Sequence, residues 1–165
     1  MPRKLFTVEQ VLTLLAETPP RIAALTAGLS PAQLHSHPAP DEWSANDVLA
    51  HLRSCADVWG TCMAAILAQD TPTLRAVDPR TYIEQTNYLA QKFPPSFRAF
   101  AKQRTDLLAA LEPLPRKSWQ RKAIVTGAGA VLERTVLTYA TRLARHERTH
   151  LKQFNRIANT MRPKK

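Results

Sequence analysis

The sequence predicts an all-α fold, a four-helix bundle, on three observations. The chain has 165 residues, 44% of them hydrophobic and 22% charged, which suffices for one core but is too short to argue for two. It contains only four glycines, and its 13 prolines fall mostly where helices would end. Its apolar residues recur at spacings of three and four, the period of a helix. We therefore expect a single domain over residues 1–165, with a flexible basic tail at residues 160–165.

The first helix is predicted over residues 7–27, where an apolar repeat begins at Val8. Pro19 and Pro20 are expected to kink or split it, because proline has no backbone N–H and its ring clashes with the preceding turn. The proline-rich residues 30–41 then predict an extended loop.

The second helix is predicted to start at Ser44, which with Asp47 three residues later forms a capping-box pair. His51 lies in its second turn, at the flank of the apolar stripe. That stripe consists of Val48, Leu49, Leu52, Ala56, Trp59, Met63 and Ile66.

The rest of the chain predicts two further long helices and two connections. Residues 69–95 have weak periodicity and recurrent prolines, with a short helix expected within residues 82–93. Helix three is predicted over residues 96–111. After a loop at residues 112–130, helix four is predicted to extend over residues 131–159.

Two histidines, His146 and His150, occupy positions of helix four where the pattern calls for core residues. They lie four residues apart, so both imidazoles can bind one metal ion from a single helix face. The run His-Glu-Arg-Thr-His matches the signature of zinc peptidases, but nothing after His150 offers the third histidine or carboxylate that such a site needs. The best remaining ligand is His51, on the inner side of predicted helix two.

A site made of His51, His146 and His150 constrains the topology. At about 1.5 Å per residue, His51 lies about 10 Å from the start of helix two, whereas the other two lie about 22 to 29 Å from the start of helix four. They meet only if these helices are antiparallel. The order is then up-down-down-up, with a long crossover between helices two and three, for which residues 69–95 are suited.

The two histidine segments resemble a known family. Trp43-Ser44, six intervening residues and then His51-Leu52, together with the last-helix motif that starts at His146, resemble the two motifs of the DinB/YfiT-like metalloenzyme superfamily. The resemblance covers nearly the whole chain. It implies an up-down-down-up bundle, often a homodimer, that holds a divalent ion on His51, His146 and His150. Its characterised relatives include thiol-dependent S-transferases and isomerases.

This resemblance implies a metal-dependent transferase of the thiol-dependent type, or a hydrolase, acting on a small molecule. The ion is zinc, nickel, iron or manganese, and a low-molecular-weight thiol is a further candidate cofactor. Cys55, one turn after His51, either approaches the metal or packs as a small apolar residue. Arg145 or Arg148 is a candidate for holding an anionic substrate.

Two polar residues of the last-helix motif have alternative roles. Glu147 either acts as a general base on a metal-bound water or pairs with a nearby arginine. Gln153 either supports a histidine or a bound ligand, or is a solvated polar residue. His35 and His37, in the proline-rich loop, are expected at the surface.

The net charge of +10 keeps a second class of function open, a non-enzymatic bundle that binds nucleic acid or an acidic partner and holds a structural or degenerate metal site. The basic residues are scattered and no nucleic-acid-binding motif accompanies them. No apolar run approaches the roughly 20 residues of a membrane span, and no signal peptide is evident, so a cytoplasmic protein is expected.

Overall fold

The structure, a computed structural model, describes residues 3–164. The first two residues and Lys165, which belong to the predicted domain and its tail, lie outside the described residues. The helices are α1 (Val8–Thr26), α2 (Pro31–His35), α3 (Ala45–Ala68), α4 (Pro79–Tyr82), α5 (Phe93–Leu111), α6 (Arg116–Trp119) and α7 (Val136–Met161), and the strands are β1 (Thr73–Arg75), β2 (Lys122–Thr126) and β3 (Leu132–Thr135). Among the helices described, none is long and apolar enough to cross a membrane.

Two pairs of the four long helices are parallel. Arg162, after α7, donates from Nη2 to the carbonyl oxygen of Leu25 near the end of α1 at 2.9 Å, so these two helices end together. Arg53 in α3 donates to Ser96 Oγ in the first turn of α5 at 3.0 Å. Early residues of α3 and α5 therefore lie side by side.

The other contacts are antiparallel. Arg116, just after α5, forms a salt bridge with Glu9 at the start of α1. Arg121 donates from Nη1 to the carbonyl oxygen of Leu67 late in α3 at 2.9 Å, and its own carbonyl oxygen accepts from the backbone N–H of Val136, the first residue of α7, at 3.1 Å. The predicted up-down-down-up bundle is confirmed, and the segment between α3 and α5 is the predicted long crossover.

Helix α1 is continuous through Pro19 and Pro20, so the predicted split does not occur. Pro19 has no N–H for the carbonyl oxygen of Leu15, which is left without a helical donor. Arg104 of α5 donates from Nη1 to that oxygen at 2.8 Å. The hydrogen bond lost to proline is replaced from another helix, and this compensation is invisible in the local sequence.

The helix boundaries follow the predictions at α3 and differ elsewhere. Ser44 caps α3 in a capping box with Asp47, as predicted. Helix α5 begins at Phe93, earlier than predicted, because prolines are tolerated in a first turn where N–H groups have no helical acceptor. Helix α7 begins at Val136, since the preceding residues form β3. In place of the short helix predicted within residues 82–93 are the end of α4 and two 3-10 turns.

A small three-stranded sheet was not predicted. Strand β2 pairs in parallel with β1 and antiparallel with β3. Leu74, Val125 and Leu132 occupy matching positions across it. The sheet joins the crossover to the loop before α7 and extends the core at the end of the bundle away from the α3 N-terminus.

Two apolar clusters fill the bundle, and polar residues of α3, α5 and α7 lie between them. One cluster includes Leu15, Cys55, Trp59 and Ala144, and the other includes Ile22, Leu49, Leu52, Phe100, Leu151 and Phe154. Between them lies what we call the polar layer, defined as His51, Arg104, His146, Glu147 and His150. The candidate site is part of this layer.

Candidate metal centre

The three predicted histidines converge in the polar layer. His51 Nε2 lies 2.9 Å from His146 Nε2, and His146 Nε2 lies 3.1 Å from His150 Nε2. The rings of His51 and His150 are 5.0 Å apart between centroids. Antiparallel packing of α3 on α7 produces this convergence, because it aligns the second turn of α3 with the middle of α7. His51 is 7% exposed, and the other two are partly buried.

The histidine tautomers suit a cation. His150 Nδ1 lies 2.7 Å from Gln153 Oε1, which only accepts, so Nδ1 donates and the Nε2 of the neutral ring keeps its lone pair. That lone pair points toward His146 Nε2. Fixing a ring through its other nitrogen is the usual support for a metal-binding histidine. Gln153 thus takes the supporting role rather than that of a solvated residue.

All three imidazoles favour the neutral form. Burial, then the proximity of the other rings, lowers the pKa of His51 to about 4 and that of His146 to about 3. Burial also lowers the pKa of His150, opposed by its hydrogen bond to Gln153. Near neutral pH the cluster therefore presents unprotonated nitrogens, the form that binds metal. The donor set, its convergence and its charge state fit a divalent transition-metal ion.

Glu147 points away from the histidines toward α5. It is 0% exposed, and both carboxylate oxygens accept from the guanidinium of Arg104, with Oε2 at 2.9 Å from Nη1. Arg104 is itself 3% exposed and also donates to Leu15. Of the two roles considered for Glu147, the geometry favours pairing with an arginine over proton transfer in the site.

Cys55 lies at the edge of the histidine cluster. Its Sγ is 3.5 Å from His51 Nε2, and Sγ lies within 4.8 Å of ligand nitrogens of both His51 and His146. Burial, and then the negative charge of Glu147, raises the pKa of Cys55 to about 12. Cys62, two turns further along α3, packs against the apolar cluster that contains Tyr139. Both cysteines are free thiols.

Two tryptophans flank the cluster. The ring of Trp43 lies 5.1 Å from that of His51 and stacks nearly parallel to that of His150 at 6.4 Å. Trp43 is 40% exposed, so it forms the solvent side of the site. Trp59 is buried and contacts His146 edge-on at 5.3 Å. Trp43 therefore lines the site.

The arginines near the cluster are not the ones that the sequence suggested. Arg145 and Arg148 lie over Phe6 on the α1 side, and Arg145 donates to Lys4 O at 2.6 Å. Two other arginines, Arg80 and Arg142, carry charges that contribute to lowering the pKa of His51 and His146 respectively.

The remaining histidines are exposed, as predicted, although His35 lies in α2 (Pro31–His35) and not in the extended loop predicted over residues 30–41. His35 and His37 are exposed; His35 Nε2 lies 3.4 Å from the backbone nitrogen of Phe93, and His37 Nδ1 lies 2.6 Å from Glu42 O. Neither contacts the cluster.

The fold and the cluster define a class, an up-down-down-up helical bundle with converging histidines on α3 and α7. The chain belongs to the DinB superfamily, whose family model matches residues 14–154. Among solved structures, it is similar to YfiT from Bacillus subtilis, described as "a probable metal-dependent hydrolase with an unusual four-helix bundle topology", with a TM-score of 0.80 and 16% identity over 98% of this chain and 93% of that chain. At that identity the similarity concerns the fold alone. Comparison with curated proteins gives no match.

Sequence reasoning missed Arg80 and Arg142 and undervalued Trp43. Arg142 carries a usable signal, since it lies one turn before His146 on α7 and so belongs to the same helix face. Arg80 has no such signal in the sequence, because only the packing of the crossover on α3 brings it near the histidine cluster. Ser54 Oγ donates to Pro79 O at 2.6 Å and anchors that packing.

Proposed function

We propose that this protein is a metal-dependent enzyme acting on a small molecule, with one divalent ion bound by His51, His146 and His150. The convergence of three neutral Nε2 atoms in a buried layer carries this proposal. Three protein ligands are the usual set of a catalytic zinc site. When bound, the ion would act as a Lewis acid and lower the pKa of a water or thiol at neutral pH.

The protein side chains around the cluster supply orientation and charge. Gln153 Oε1 accepts a hydrogen bond from the Nδ1–H of His150, which leaves the Nε2 lone pair directed into the site. Trp43 covers the cluster on the solvent side with a flat apolar surface, suited to stacking on a planar part of a substrate. Glu147 stays with Arg104, so we assign it no proton transfer.

The charge at the rim favours a substrate with an anionic group. Arg142 lies over Trp59 at 4.8 Å, and Trp59 in turn contacts His146. Within residues 3–164, Arg142 forms no salt bridge, so its charge is available to a ligand. Arg80 is paired with Asp78 at 2.9 Å and contributes less net charge.

The reaction is hydrolysis or thiol-dependent S-transfer. The description of YfiT supports hydrolysis, and the family resemblance supports a thiol cofactor. In both reactions a nucleophile attacks an electrophilic carbon. The nucleophile is water in hydrolysis and the thiol in S-transfer. Three imidazole ligands suit zinc, nickel, iron and manganese alike, so all four ions remain candidates.

The test is turnover of electrophilic small substrates by protein loaded separately with zinc, nickel, iron or manganese, with and without low-molecular-weight thiols. We expect activity that requires metal, is lost in His146→Ala and is kept in the control His37→Ala, whose histidine is exposed. A turnover rate that rises with the thiol concentration identifies a transferase. A turnover rate that does not depend on the thiol identifies a hydrolase. Equal turnover by the metal-free protein would refute the proposal.

Three further expectations remain predictions. The resemblance implies a homodimer, which sedimentation measures directly, and a cytoplasmic location is expected.

The charge of +10 supports nucleic-acid or acidic-partner binding as the alternative function. That alternative requires binding whose affinity falls steeply as salt rises, without metal-dependent turnover.

A further inference from the structure

Cys55 brings a further metal-binding side chain to the histidine cluster. Its side chain is 1% exposed and follows His51 by one helical turn, so both point into the same space between α3 and α7. A buried cysteine most often packs as a small apolar group. Cys55, however, directs its sulfur at the same atoms that face the proposed ion.

The distances agree with a shared ion. For tetrahedral zinc, bond lengths of about 2.05 Å to nitrogen and about 2.3 Å to sulfur give nitrogen-to-sulfur separations of about 3.6 Å and nitrogen-to-nitrogen separations of about 3.3 Å. The sulfur of Cys55 lies 3.5 Å from His51 Nε2, and the latter lies 2.9 Å from His146 Nε2. The ligand atoms of His51, Cys55 and His146 all lie within 4.8 Å of one another, so small shifts would bring these three into one coordination shell.

We propose that Cys55 is a thiolate ligand of the ion, alongside the histidines. This inference rests on the metal site proposed above and changes its chemistry. On coordination the thiol S–H bond breaks, its proton passes to solvent or buffer, and the sulfur lone pair forms the bond to the ion. No oxidant or reductant is needed.

A bound divalent ion deprotonates a coordinating thiol outright, so Cys55 would bind the ion as a thiolate.

Ligation by Cys55 has two consequences. A soft sulfur donor favours zinc or cobalt over manganese, which prefers oxygen donors. A site with three histidines and one cysteine also has four protein ligands, which fill a tetrahedral ion. Substrate then gains access only when the ion expands its coordination or releases one protein ligand.

The experiment is addition of Co(II) to metal-free protein, followed by near-ultraviolet and visible absorption. We expect an intense thiolate-to-cobalt charge-transfer band in the parent and in Cys62→Ser, the matched control on the same helix. In Cys55→Ser the band should vanish while cobalt still binds through the histidines, at least about tenfold more weakly.

The parent spectrum alone tests the proposal if Cys55→Ser fails to fold. X-ray absorption of the zinc-loaded parent adds a second measurement, with a sulfur neighbour expected at about 2.3 Å. Cobalt or zinc bound without the charge-transfer band or the sulfur neighbour would overturn the ligation by Cys55 and leave the three-histidine site standing. A band that is lost in Cys62→Ser would also overturn it. Absence of any metal binding would overturn the metal site itself, and with it this inference.

Discussion

The histidine cluster and the Arg104–Glu147 pair occupy the same polar layer on opposite sides of α7, yet their hydrogen bonding differs. Glu147 accepts two bonds from Arg104, which also donates to Leu15, so the opposite charges are paired within the fold. The histidine Nε2 atoms face one another at 2.9 and 3.1 Å, and the Nε2 of His150 carries a lone pair. One side of α7 therefore holds opposite charges paired within the fold, whereas the other presents nitrogens that suit a cation.

The adjacent residues His146 and Glu147 lie on different sides of this contrast. His146 belongs to the histidine cluster, and Glu147 belongs to the buried ion pair. A helix turns by about 100° per residue, so neighbours in sequence face different helices. His146 meets His51 of α3, and Glu147 meets Arg104 of α5. A motif that reads as one catalytic unit in sequence is thus split between a binding site and a structural pair.

The largest effect is expected from Glu147→Gln. Removing the charge leaves Arg104 buried without its counter-ion, which should lower the free energy of unfolding by about 3–5 kcal/mol in urea titration. Asp106→Asn, which breaks the exposed Lys102–Asp106 pair, is the control and should cost under about 1 kcal/mol. A Glu147→Gln protein of parental stability that loses only turnover would instead identify Glu147 as a general base.

Metal addition should produce the next largest effect. A ligand that binds only the folded chain stabilises it by about 2.7 kcal/mol at a hundredfold excess over Kd, so zinc should raise the Tm of the parent. His146→Ala should show little or none of this increase. An equal rise in both proteins would place the ion elsewhere.

A smaller effect is expected from acid in the metal-free protein. The folded-state pKa values of His51 and His146, about 4 and about 3, lie below the ordinary value of 6.5, so between pH 6.5 and 4 the unfolded chain binds more protons. Stability should therefore fall as pH decreases through this window, by about 1–2 kcal/mol after allowance for solvent access. His51→Asn should flatten the decrease. Stability that rises on acidification over this range would contradict the neutral, buried state of the cluster.

The smallest effect is expected at the rim. In the cobalt-loaded protein, Arg142→Gln should weaken binding of a small carboxylate such as acetate by about two- to fivefold, the scale of an exposed ion pair. Absorption changes on acetate titration give the affinity. Arg148→Gln, on the α1 side of the same helix, should bind acetate as the parent does. Equal weakening in the two variants would indicate a general charge effect rather than a rim contact.

Much of the bundle follows from local patterns that the sequence displays. The Ser44 cap, the apolar face of α3 and the four-residue spacing of His146 and His150 depend on neighbours within one helix. The up-down-down-up order followed from requiring His51 to reach the other two histidines. These inferences succeed because helical periodicity alone determines which residues share a face.

What escaped prediction depends on contacts between distant residues. The continuity of α1 through Pro19 depends on Arg104, and the pairing of Glu147 depends on the same arginine. Strand β1 has three residues, and its parallel partner β2 lies some 50 residues later, so neither strand has a readable alternation of its own. The rim position of Arg80 likewise depends on how the crossover packs.

The central claim is that His51, His146 and His150 together hold one ion, and metal analysis of the purified chain without a histidine tag tests it most directly. After dialysis against a slight excess of zinc, nickel, iron or manganese, the parent should retain about one ion per chain for at least one metal. His51→Ala and His146→Ala should each retain far less under the same conditions, while remaining folded by circular dichroism. A parent that retains none of these metals, or folded variants that both retain as much as the parent, would contradict the claim.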